Sequence, residues 1–251
     1  ERVNGSGELV EDGREVAVKV LKAAPGSIGS GRRRFLREAR VQGQLEHPSV
    51  VPVYDLEVSP DGEARITMKR VRGQTLEAVL HGLASGDAAL GRRFSRRRLL
   101  TAFVSVCRAL DYAHARGVIH RDVKPANVML GDFGEVHLLD WGIARIQGAT
   151  DSDVADSDLP AVEGPAGEAG ETAAGTVLGT PGYMSPEQVR GETSRLDARS
   201  DVFALGAVLF EILTLTPMLP GTVRERLLAT LAAKGPRSPA AEAPGADIAP
   251  E

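Results

Sequence analysis

The stretch "HRDVKPAN", His120 to Asn127, is the part of the sequence that decides the fold. It places an aspartate, Asp122, two residues before Lys124 and five residues before an amide, Asn127, in a polar loop. Phosphoryl transfer needs three such groups: a carboxylate that accepts the proton of an attacking hydroxyl, a cation near the moving phosphate, and an oxygen ligand for Mg²⁺. Every specified position of the pattern H-R-D-x-x-x-x-N is filled.

Two aspartates downstream compete for the role of metal ligand. The stretch "GDFGEVHLLDWGIAR", residues 131–145, contains Asp132-Phe133-Gly134 and, eight residues later, Asp140-Trp141-Gly142. The first spells a familiar metal-binding tripeptide letter for letter, and the second is a variant of it. Only one aspartate can share a metal with the amide of the polar loop, so the local fold must decide between them.

The pattern around these tripeptides predicts a β-hairpin. Two short apolar runs, residues 128–130 and 136–139, flank the turn signals of "GDFGE". The open ends of a hairpin lie together, so Asn127 is expected beside Asp140. Asp132 would lie at the closed end, roughly 10 Å or more away at about 3.3 Å per residue. We therefore predict that Asp140 is the metal ligand and that the match at Asp132 is a coincidence.

The sequence before the polar loop predicts a small sheet with one helix. "REVAVKVL", residues 14–21, alternates apolar and polar side chains and predicts a strand. Residues 32–45 follow a helical pattern, with Glu38 among the apolar positions. Residues 50–58 and 64–71 predict two further strands. The expected order is strand, helix, strand, strand.

From residue 72 onward, helical patterns dominate. Residues 75–83 and, most clearly, residues 95–115 carry apolar side chains at spacings of three and four. Ser95 fits the N-cap of the longer helix, although "RRFS" also fits a phosphorylation site preceded by basic residues. "DVFALGAVLFEIL", which begins at Asp201, is apolar nearly all round and predicts a buried helix.

Composition excludes several classes of protein. The chain has 251 residues and one cysteine, Cys107, which rules out a disulfide framework and fits a reducing compartment. Arginine clusters at residues 32–34 and 96–98 lack interleaved aromatic residues, so solvated helix faces explain them better than nucleic-acid binding. The longest apolar run, residues 202–210, is too short to span a bilayer. We expect neither a nucleic-acid partner nor a membrane segment.

The net charge of −4 conceals an uneven distribution of charge. Between Arg145 and Arg190 there is no lysine or arginine, and residues 151–171 hold seven acids. Without those acids the chain would carry a net charge of about +3. Residues 147–175 contain almost no large apolar side chain, which is typical of disorder. The sequence thus predicts an acidic, disordered insert in a mildly basic body.

Taken together, these motifs resemble those of a protein kinase, and more narrowly of a bacterial serine/threonine kinase of the eukaryotic-like type. The resemblance covers nearly the whole chain: "HRDVKPAN" matches the catalytic loop, "VAVKV" the third strand, and "GTPGYMSPE" the end of the activation segment. It implies an α+β, bilobal kinase-like fold. A small β-rich N-lobe, lacking its start, would take residues 1–71, and a larger helical C-lobe, lacking its end, residues 72–251.

The resemblance implies that the chain transfers the γ-phosphate of ATP to serine and threonine hydroxyls of proteins. Asp122 would accept the proton of the substrate hydroxyl and Lys124 would steady the γ-phosphate. Asn127 and Asp140 would hold Mg²⁺. Lys124, together with Thr180, marks a preference for serine and threonine over tyrosine.

The resemblance also implies an ATP site between the lobes. Lys19 would bind the α- and β-phosphates and pair with Glu38, nineteen residues later. Adenine would bond to the backbone of the hinge, about Lys69 to Val71, behind Met68 as gatekeeper, and Met129 would line the site.

Control of activity is implied by residues around the polar loop. Asp201 would support the loop, of which His120 is a structural part, from a buried helix, and Arg121 could pair with a phosphate on the activation segment. Thr172 and Thr176 are equal candidates for that phosphate. The segment would further contribute Thr180 and Glu187.

Three features depart from the family pattern. Only "NGSG" precedes Lys19 where a glycine-rich loop is expected, and the arginine that usually pairs with Glu187 is missing. Trp141 stands where the family usually has phenylalanine, so a bulkier ring must be buried and its N–H must find a partner.

Two other functions fit parts of the sequence. A pseudokinase or scaffold would share the fold, but Lys19, Glu38, Asp122, Asn127 and Asp140 are all present. A small-molecule phosphotransferase would share the catalytic aspartate and asparagine, whereas Lys124 and "GTPGYMSPE" favour protein substrates. A cytoplasmic location is expected, either alone or as the cytoplasmic domain of a membrane-tethered protein.

Overall fold

The computed structural model describes residues 8–11, 14–21, 30–59, 63–146, 179–232 and 238–242. These residues form two lobes: a four-stranded sheet with one helix, and a mostly helical part with two small sheets. The expected α+β, bilobal fold is confirmed. The acidic insert predicted at residues 147–175, with Thr172 and Thr176, lies outside the described residues.

The sheet of the small lobe is antiparallel and has the order β1-β2-β4-β3. Its strands are β1 (Glu8–Glu11), β2 (Arg14–Leu21), β3 (Val53–Val58) and β4 (Ala64–Lys69). Helix α1 (Ser30–Gly43) packs Phe35 and Ala39 against Ala64 and Ile66 of β4. The predicted order of strand, helix, strand, strand is confirmed, with β1 as an additional strand before it.

The large lobe is built around two long helices, α4 and α6, which pack against each other. Ser95 Oγ accepts a hydrogen bond from the N–H of Arg98, which confirms Ser95 as the N-cap of α4. Helix α3 was not predicted; the side chain of Asp87 caps its short first turn. The helices are α2 (Leu76–Ala84), α3 (Ala88–Arg93), α4 (Arg96–His114), α5 (Pro186–Val189), α6 (Ala198–Thr214), α7 (Val223–Leu231) and α8 (Pro239–Glu242).

The predicted hairpin is present, and its residues Val128, Leu130 and Leu138 belong to the large hydrophobic core cluster. Its strands are β7 (Val128–Leu130) and β8 (Val136–Leu138), and β5 (Gln74–Thr75) adds a third strand beside β7. Val128 lies opposite Leu138, and the N–H of Gly131 closes the turn on the carbonyl of Glu135 at 2.8 Å. A separate pair, β6 (Val118–Ile119) with β9 (Arg145–Ile146), flanks the polar loop.

Helix α6 is the predicted buried helix. Ala204, Ala207, Val208 and Phe210 are buried against the core of the large lobe. The helix also buries the carboxylate of Asp201 completely, which is costly unless that carboxylate is hydrogen-bonded. Among the helices that the structure describes, none combines the length and the apolar composition that crossing a bilayer requires.

Candidate active site

The carboxylate of Asp122 lies at the centre of a polar triangle. Lys124 Nζ is 2.7 Å from Asp122 Oδ2, and Thr180 Oγ1 donates to Asp122 Oδ1 at 2.7 Å. Lys124 Nζ also donates to Thr180 Oγ1 at 2.7 Å. The polar loop and the segment that begins at Gly179 therefore meet at one carboxylate, which is mostly buried, with 11% of its side chain exposed.

The amide of Asn127 has a fixed orientation. Its Nδ2 donates to the backbone carbonyl of Asp122 at 2.8 Å and to Asp122 Oδ2 at 3.2 Å. The amide nitrogen is therefore directed at Asp122, and the amide oxygen is the atom of this side chain that could bind a cation. The backbone carbonyl of Asn127 accepts from the N–H of Leu139 at 2.8 Å, which places Asn127 at the open end of the hairpin, beside Asp140.

Asp201 holds the backbone of the polar loop in an otherwise unfavourable conformation. Its Oδ1 accepts from the N–H of Arg121 at 2.8 Å, and its Oδ2 accepts from the N–H of His120 at 2.9 Å. His114 Nε2 lies 2.7 Å from the same Oδ2. Arg121 has φ of 71°, a left-handed conformation that is costly for a residue with a side chain. The carboxylate compensates for this strain.

His120 links the polar loop to the second tripeptide. Its Nδ1 accepts from the N–H of Asp122 at 3.2 Å, so its Nε2 carries the proton and donates to the carbonyl of Leu139 at 3.0 Å. The imidazole packs on the Trp141 ring with 4.6 Å between ring centroids. The indole is 1% exposed, and its N–H donates to the carbonyl of Leu138 at 3.3 Å. The larger ring is thus both buried and hydrogen-bonded.

Asp140 has an exposed carboxylate on a left-handed backbone. Its φ is 60°, a conformation that aspartate tolerates better than most residues, and its Oδ1 accepts from the N–H of Gly142 at 3.3 Å. A Cβ on Gly142 would lie 3.0 Å from Asp140 Oδ1 and 3.2 Å from Glu38 Oε2. The absence of a side chain at Gly142 therefore lets α1 approach the Asp140 segment.

Lys19 and Glu38 form an ion pair between β2 and α1. Lys19 Nζ is 2.7 Å from each of the two carboxylate oxygens of Glu38. Glu38 is buried, with 7% of its side chain exposed, whereas 46% of the Lys19 side chain is exposed. Glu38 Oε2 and Asp140 Oδ1 both lie beside Gly142, so the ion pair and the Asp140 carboxylate occupy neighbouring positions.

The predicted adenine-binding residues lie where β4 ends and the chain crosses to the large lobe. Met68 is in β4, opposite Ala17 of β2, and the N–H of Lys69 is bonded to the carbonyl of Pro52 at 3.0 Å. The chain then continues as irregular backbone through Val71. Met129 lies in β7, opposite Thr75 of β5.

The segment after Gly179 is attached to the large lobe by contacts that sequence patterns did not reveal. Gln188 Nε2 donates to the carbonyl of Arg121 at 2.8 Å, and Ser200 Oγ donates to Glu187 Oε1 at 2.8 Å. Tyr183 Oη donates to Glu211 Oε2 at 2.6 Å. Burial, reinforced by the neighbouring carboxylate, raises the pKa of Tyr183, so its hydroxyl keeps the proton that it donates.

The donors at the open end of the hairpin suit Mg²⁺. A carboxylate (Asp140) and an amide oxygen (Asn127) are hard oxygen ligands, and Mg²⁺ at nucleotide sites combines one or two carboxylates with phosphate oxygens. Within the described part of the chain, no group of three His, Cys, Asp or Glu side chains could bind a metal by itself.

Comparison with known proteins identifies the class to which this fold and these motifs belong. The sequence model of the protein kinase domain family matches residues 6–237 of this chain. The chain therefore belongs to the protein kinase family. Its relatives narrow the class to the bacterial serine/threonine kinases.

Two of these relatives illustrate the match. The chain is 42% identical over 211 residues to the serine/threonine-protein kinase PknB of Mycolicibacterium smegmatis, covering 83% of this chain and 29% of that protein. It is 33% identical over 217 residues to PknD of Protochlamydia amoebophila, covering 84% of this chain and 22% of that protein. The chain thus spans less than a third of the length of these relatives.

Proposed function

We propose that this chain transfers the γ-phosphate of ATP to serine or threonine hydroxyls of proteins. The observation that carries the proposal is the triangle of Asp122, Lys124 and Thr180, which joins the polar loop to the segment after Gly179. A carboxylate in contact with a hydroxyl and an ammonium has the contacts that a general base for an incoming substrate hydroxyl needs.

In this proposal each member of the triangle has a role. The substrate hydroxyl approaches Asp122, which orients it and accepts its proton as the phosphoryl group is transferred. Lys124 stabilises the negative charge on the moving phosphoryl group. Thr180 fixes the carboxylate at the entrance to the site and, with Lys124, favours aliphatic hydroxyls over the longer tyrosine side chain.

The nucleotide would lie between the two lobes, which we divide at residues 1–71 and 72–251. Lys19, oriented by Glu38, would bind the α- and β-phosphates. The backbone of Lys69 to Val71 would bond adenine, between Met68 and Met129. Asn127 and Asp140 would hold Mg²⁺, which neutralises charge on the phosphates when it is bound.

Regulation would involve Arg121. Its backbone N–H donates to the carboxylate of Asp201, and its backbone carbonyl accepts from the side chain of Gln188. Its guanidinium would pair with a phosphate on Thr172 or Thr176. A phosphate there would tie the activation segment to the polar loop, with His120 and Glu187 maintaining the local fold. We place the domain in the cytoplasm, where ATP and its protein substrates occur, with no nucleic-acid partner.

The test is a phosphotransfer assay with labelled ATP and Mg²⁺. The purified chain is offered a general protein substrate, small alcohols and an aminoglycoside in parallel, and the labelled products are identified. We expect label on serine or threonine of protein and loss of that label in the Asp122→Asn variant. Label on the aminoglycoside alone would indicate a small-molecule phosphotransferase, and ATP binding without transfer would indicate a pseudokinase.

A further inference from the structure

Two neighbouring hollows lie on the surface at the start of α4. The first has a volume of 340 Å³ and lies between α4 and the hairpin turn. The second has a volume of 460 Å³ and lies along α4 from Arg96 to Val104. Arg97 and Thr101 line both hollows, so these two side chains form a ridge between them. None of the residues proposed above for ATP, Mg²⁺ or phosphoryl transfer lines either hollow.

Both hollows are lined in part by apolar side chains. Phe94, Leu130 and Val136 line the first hollow. Leu100 and Val104 line the second, and Val104 is 45% exposed. Apolar side chains that remain open to solvent in a concave surface are typical of interaction sites. Each hollow can therefore take an apolar side chain of a partner.

The wall of the first hollow is held in place by contacts around one aromatic ring. The guanidinium groups of Arg93 and Arg98 pack against the Phe94 ring, 5.0 and 5.1 Å from its centroid. Arg98 Nη1 also donates to the carbonyl of Arg93 at 3.1 Å, and Arg93 forms an ion pair with Asp132 of the hairpin turn. The hollow is therefore preformed, which lowers the cost of ordering it when a partner binds.

Arg97 carries an uncompensated charge on the ridge. It is exposed, and in the part of the chain that the structure describes no hydrogen bond or ion pair holds its guanidinium. The neighbouring hydroxyls are already engaged: Thr101 Oγ1 donates to the carbonyl of Arg97 at 2.9 Å, and Ser105 Oγ donates to the carbonyl of Thr101 at 3.3 Å. The guanidinium is therefore the polar group that the ridge offers to a partner, and a guanidinium selects a carboxylate or another anion.

The surroundings of the ridge are positively charged. Residues 92–98 and the hairpin turn together carry five arginines and two acids, an excess of three positive charges. Both acids are held locally: Asp132 pairs with Arg93, and Glu135 Oε2 accepts from the backbone N–H of Phe133 at 2.9 Å. This excess of charge attracts an acidic partner and disfavours a basic one.

We propose that the two hollows and Arg97 form a docking site for an acidic peptide segment of a partner protein. An acidic side chain of the segment binds the guanidinium of Arg97, and the apolar side chains on either side of it enter the two hollows. The site therefore recognises one or two acidic residues that are flanked by apolar ones. A concave surface with an apolar lining suits peptide side chains better than a flat bilayer or a phosphate backbone. Docking there does not depend on the phosphoryl transfer proposed above.

The test measures the binding of a fluorescein-labelled peptide to the chain by fluorescence anisotropy. The peptide has the core Leu-Glu-Glu-Leu between glycine and serine residues. Matched peptides carry Leu-Gln-Gln-Leu, which lacks the charges, or Ser-Glu-Glu-Ser, which lacks the apolar side chains. We expect each of them to bind about 10-fold more weakly or worse, since both kinds of contact contribute. If Ser-Glu-Glu-Ser binds as tightly as Leu-Glu-Glu-Leu, the attraction is one of charge alone and the proposal is overturned.

A matched pair of variants locates the contact. Arg97→Gln should weaken binding of the Leu-Glu-Glu-Leu peptide about 10-fold or more. Arg108→Gln removes the same charge from an exposed position about three turns further along α4, and it should change binding less than about twofold. Equal losses in the two variants would contradict the assignment of Arg97.

A reversal of charge separates a lost contact from a misfolded variant. Arg97→Glu should lose the Leu-Glu-Glu-Leu peptide and bind a Leu-Lys-Lys-Leu peptide at least about threefold more tightly than the unaltered chain does. Absence of that gain in a variant with an unchanged circular dichroism spectrum would refute the contact. Binding to anionic phospholipid vesicles that Arg97→Gln abolishes, without binding of any peptide, would show a membrane-binding surface instead.

Discussion

Two tripeptides with nearly the same letters occupy opposite ends of one hairpin. At the closed end, Phe133 is 94% exposed and Asp132 pairs with Arg93 on the surface. At the open end, Trp141 is 1% exposed and packs on the ring of His120 from the polar loop. The residues are similar, but their surroundings differ completely. The structural role of such a tripeptide therefore depends on which end of the hairpin it occupies.

The largest expected difference between the two ends concerns the two aspartates. Asp140→Asn removes the carboxylate that we propose for Mg²⁺, and it should lower phosphotransfer about 1000-fold and abolish the Mg²⁺ dependence of ATP binding. Asp132→Asn should change either quantity less than about twofold, because it loses only an exposed ion pair. Calorimetric titration of ATP with and without Mg²⁺, beside the kinase assay, compares them. Equal effects of the two variants would refute the assignment of Asp140.

The next difference concerns stability. The Asp201 carboxylate accepts hydrogen bonds from the N–H groups of His120 and Arg121 and from the ring of His114. Asp201→Asn replaces one of its acceptor oxygens by an N–H₂ group, so that two donors face each other. We expect the free energy of unfolding to fall by about 3 kcal/mol. The exposed carboxylate at the closed end provides the control, since Asp132→Asn should cost less than about 1 kcal/mol. Urea denaturation monitored by circular dichroism gives both values; a loss below 1 kcal/mol for Asp201→Asn would contradict the supporting role of that residue.

A smaller difference is expected between the two glycines. Gly142→Ala places a methyl group 3.2 Å from Glu38 Oε2 and 3.0 Å from Asp140 Oδ1, so it should displace the Lys19–Glu38 pair. We expect kcat/KM to fall about 10-fold, which is about 1.4 kcal/mol in transition-state stabilisation. Gly134→Ala meets open space, although φ of 96° makes it locally strained. It should lower stability by about 1 kcal/mol with no loss of kcat/KM, and a kinetic defect there would show that the two ends are coupled.

The smallest expected difference is between the two aromatic residues. Trp141→Phe removes the indole N–H that donates to Leu138 and leaves part of a buried volume unfilled. It should lower stability by about 1 kcal/mol, with ATP binding retained. Phe133→Ala, at an exposed position, should change stability by less than about 0.5 kcal/mol. Thermal unfolding of the two variants side by side measures the contrast, and a larger loss for Phe133→Ala would reverse the comparison.

Local patterns were sufficient for several parts of the fold. The hairpin follows from two apolar runs around a glycine-rich turn, and the start of α4 follows from Ser95 before a helical repeat. The juxtaposition of Asn127 with the Asp140 segment follows from hairpin geometry alone. These features depend on residues close together in sequence, for which spacing and side-chain type fix the geometry.

Contacts between distant segments could not be predicted from local patterns. His114 meets Asp201 across 87 residues, and Gln188 meets the carbonyl of Arg121 across 67. Nothing about a histidine at the end of a helix or a glutamine in a short helix indicates its partner. Tyr183 and Glu211 were missed for the same reason: an acidic residue, Glu211, directly after the apolar run of residues 202–210 was the available signal, and it does not identify the donor.

The position of Asp201 in the chain also determines when, during synthesis, the polar loop can be stabilised. His120 and Arg121 precede it by 81 and 80 residues, so a growing chain exposes the polar loop well before the carboxylate that holds it. At about 5–20 residues per second the delay is about 4–16 s. Throughout that interval the backbone N–H of Arg121 has no Asp201 carboxylate to donate to, and the hydrogen bond that offsets its left-handed backbone is absent. We therefore expect the loop to reach its final geometry only after α6 has been synthesised and has emerged from the ribosome.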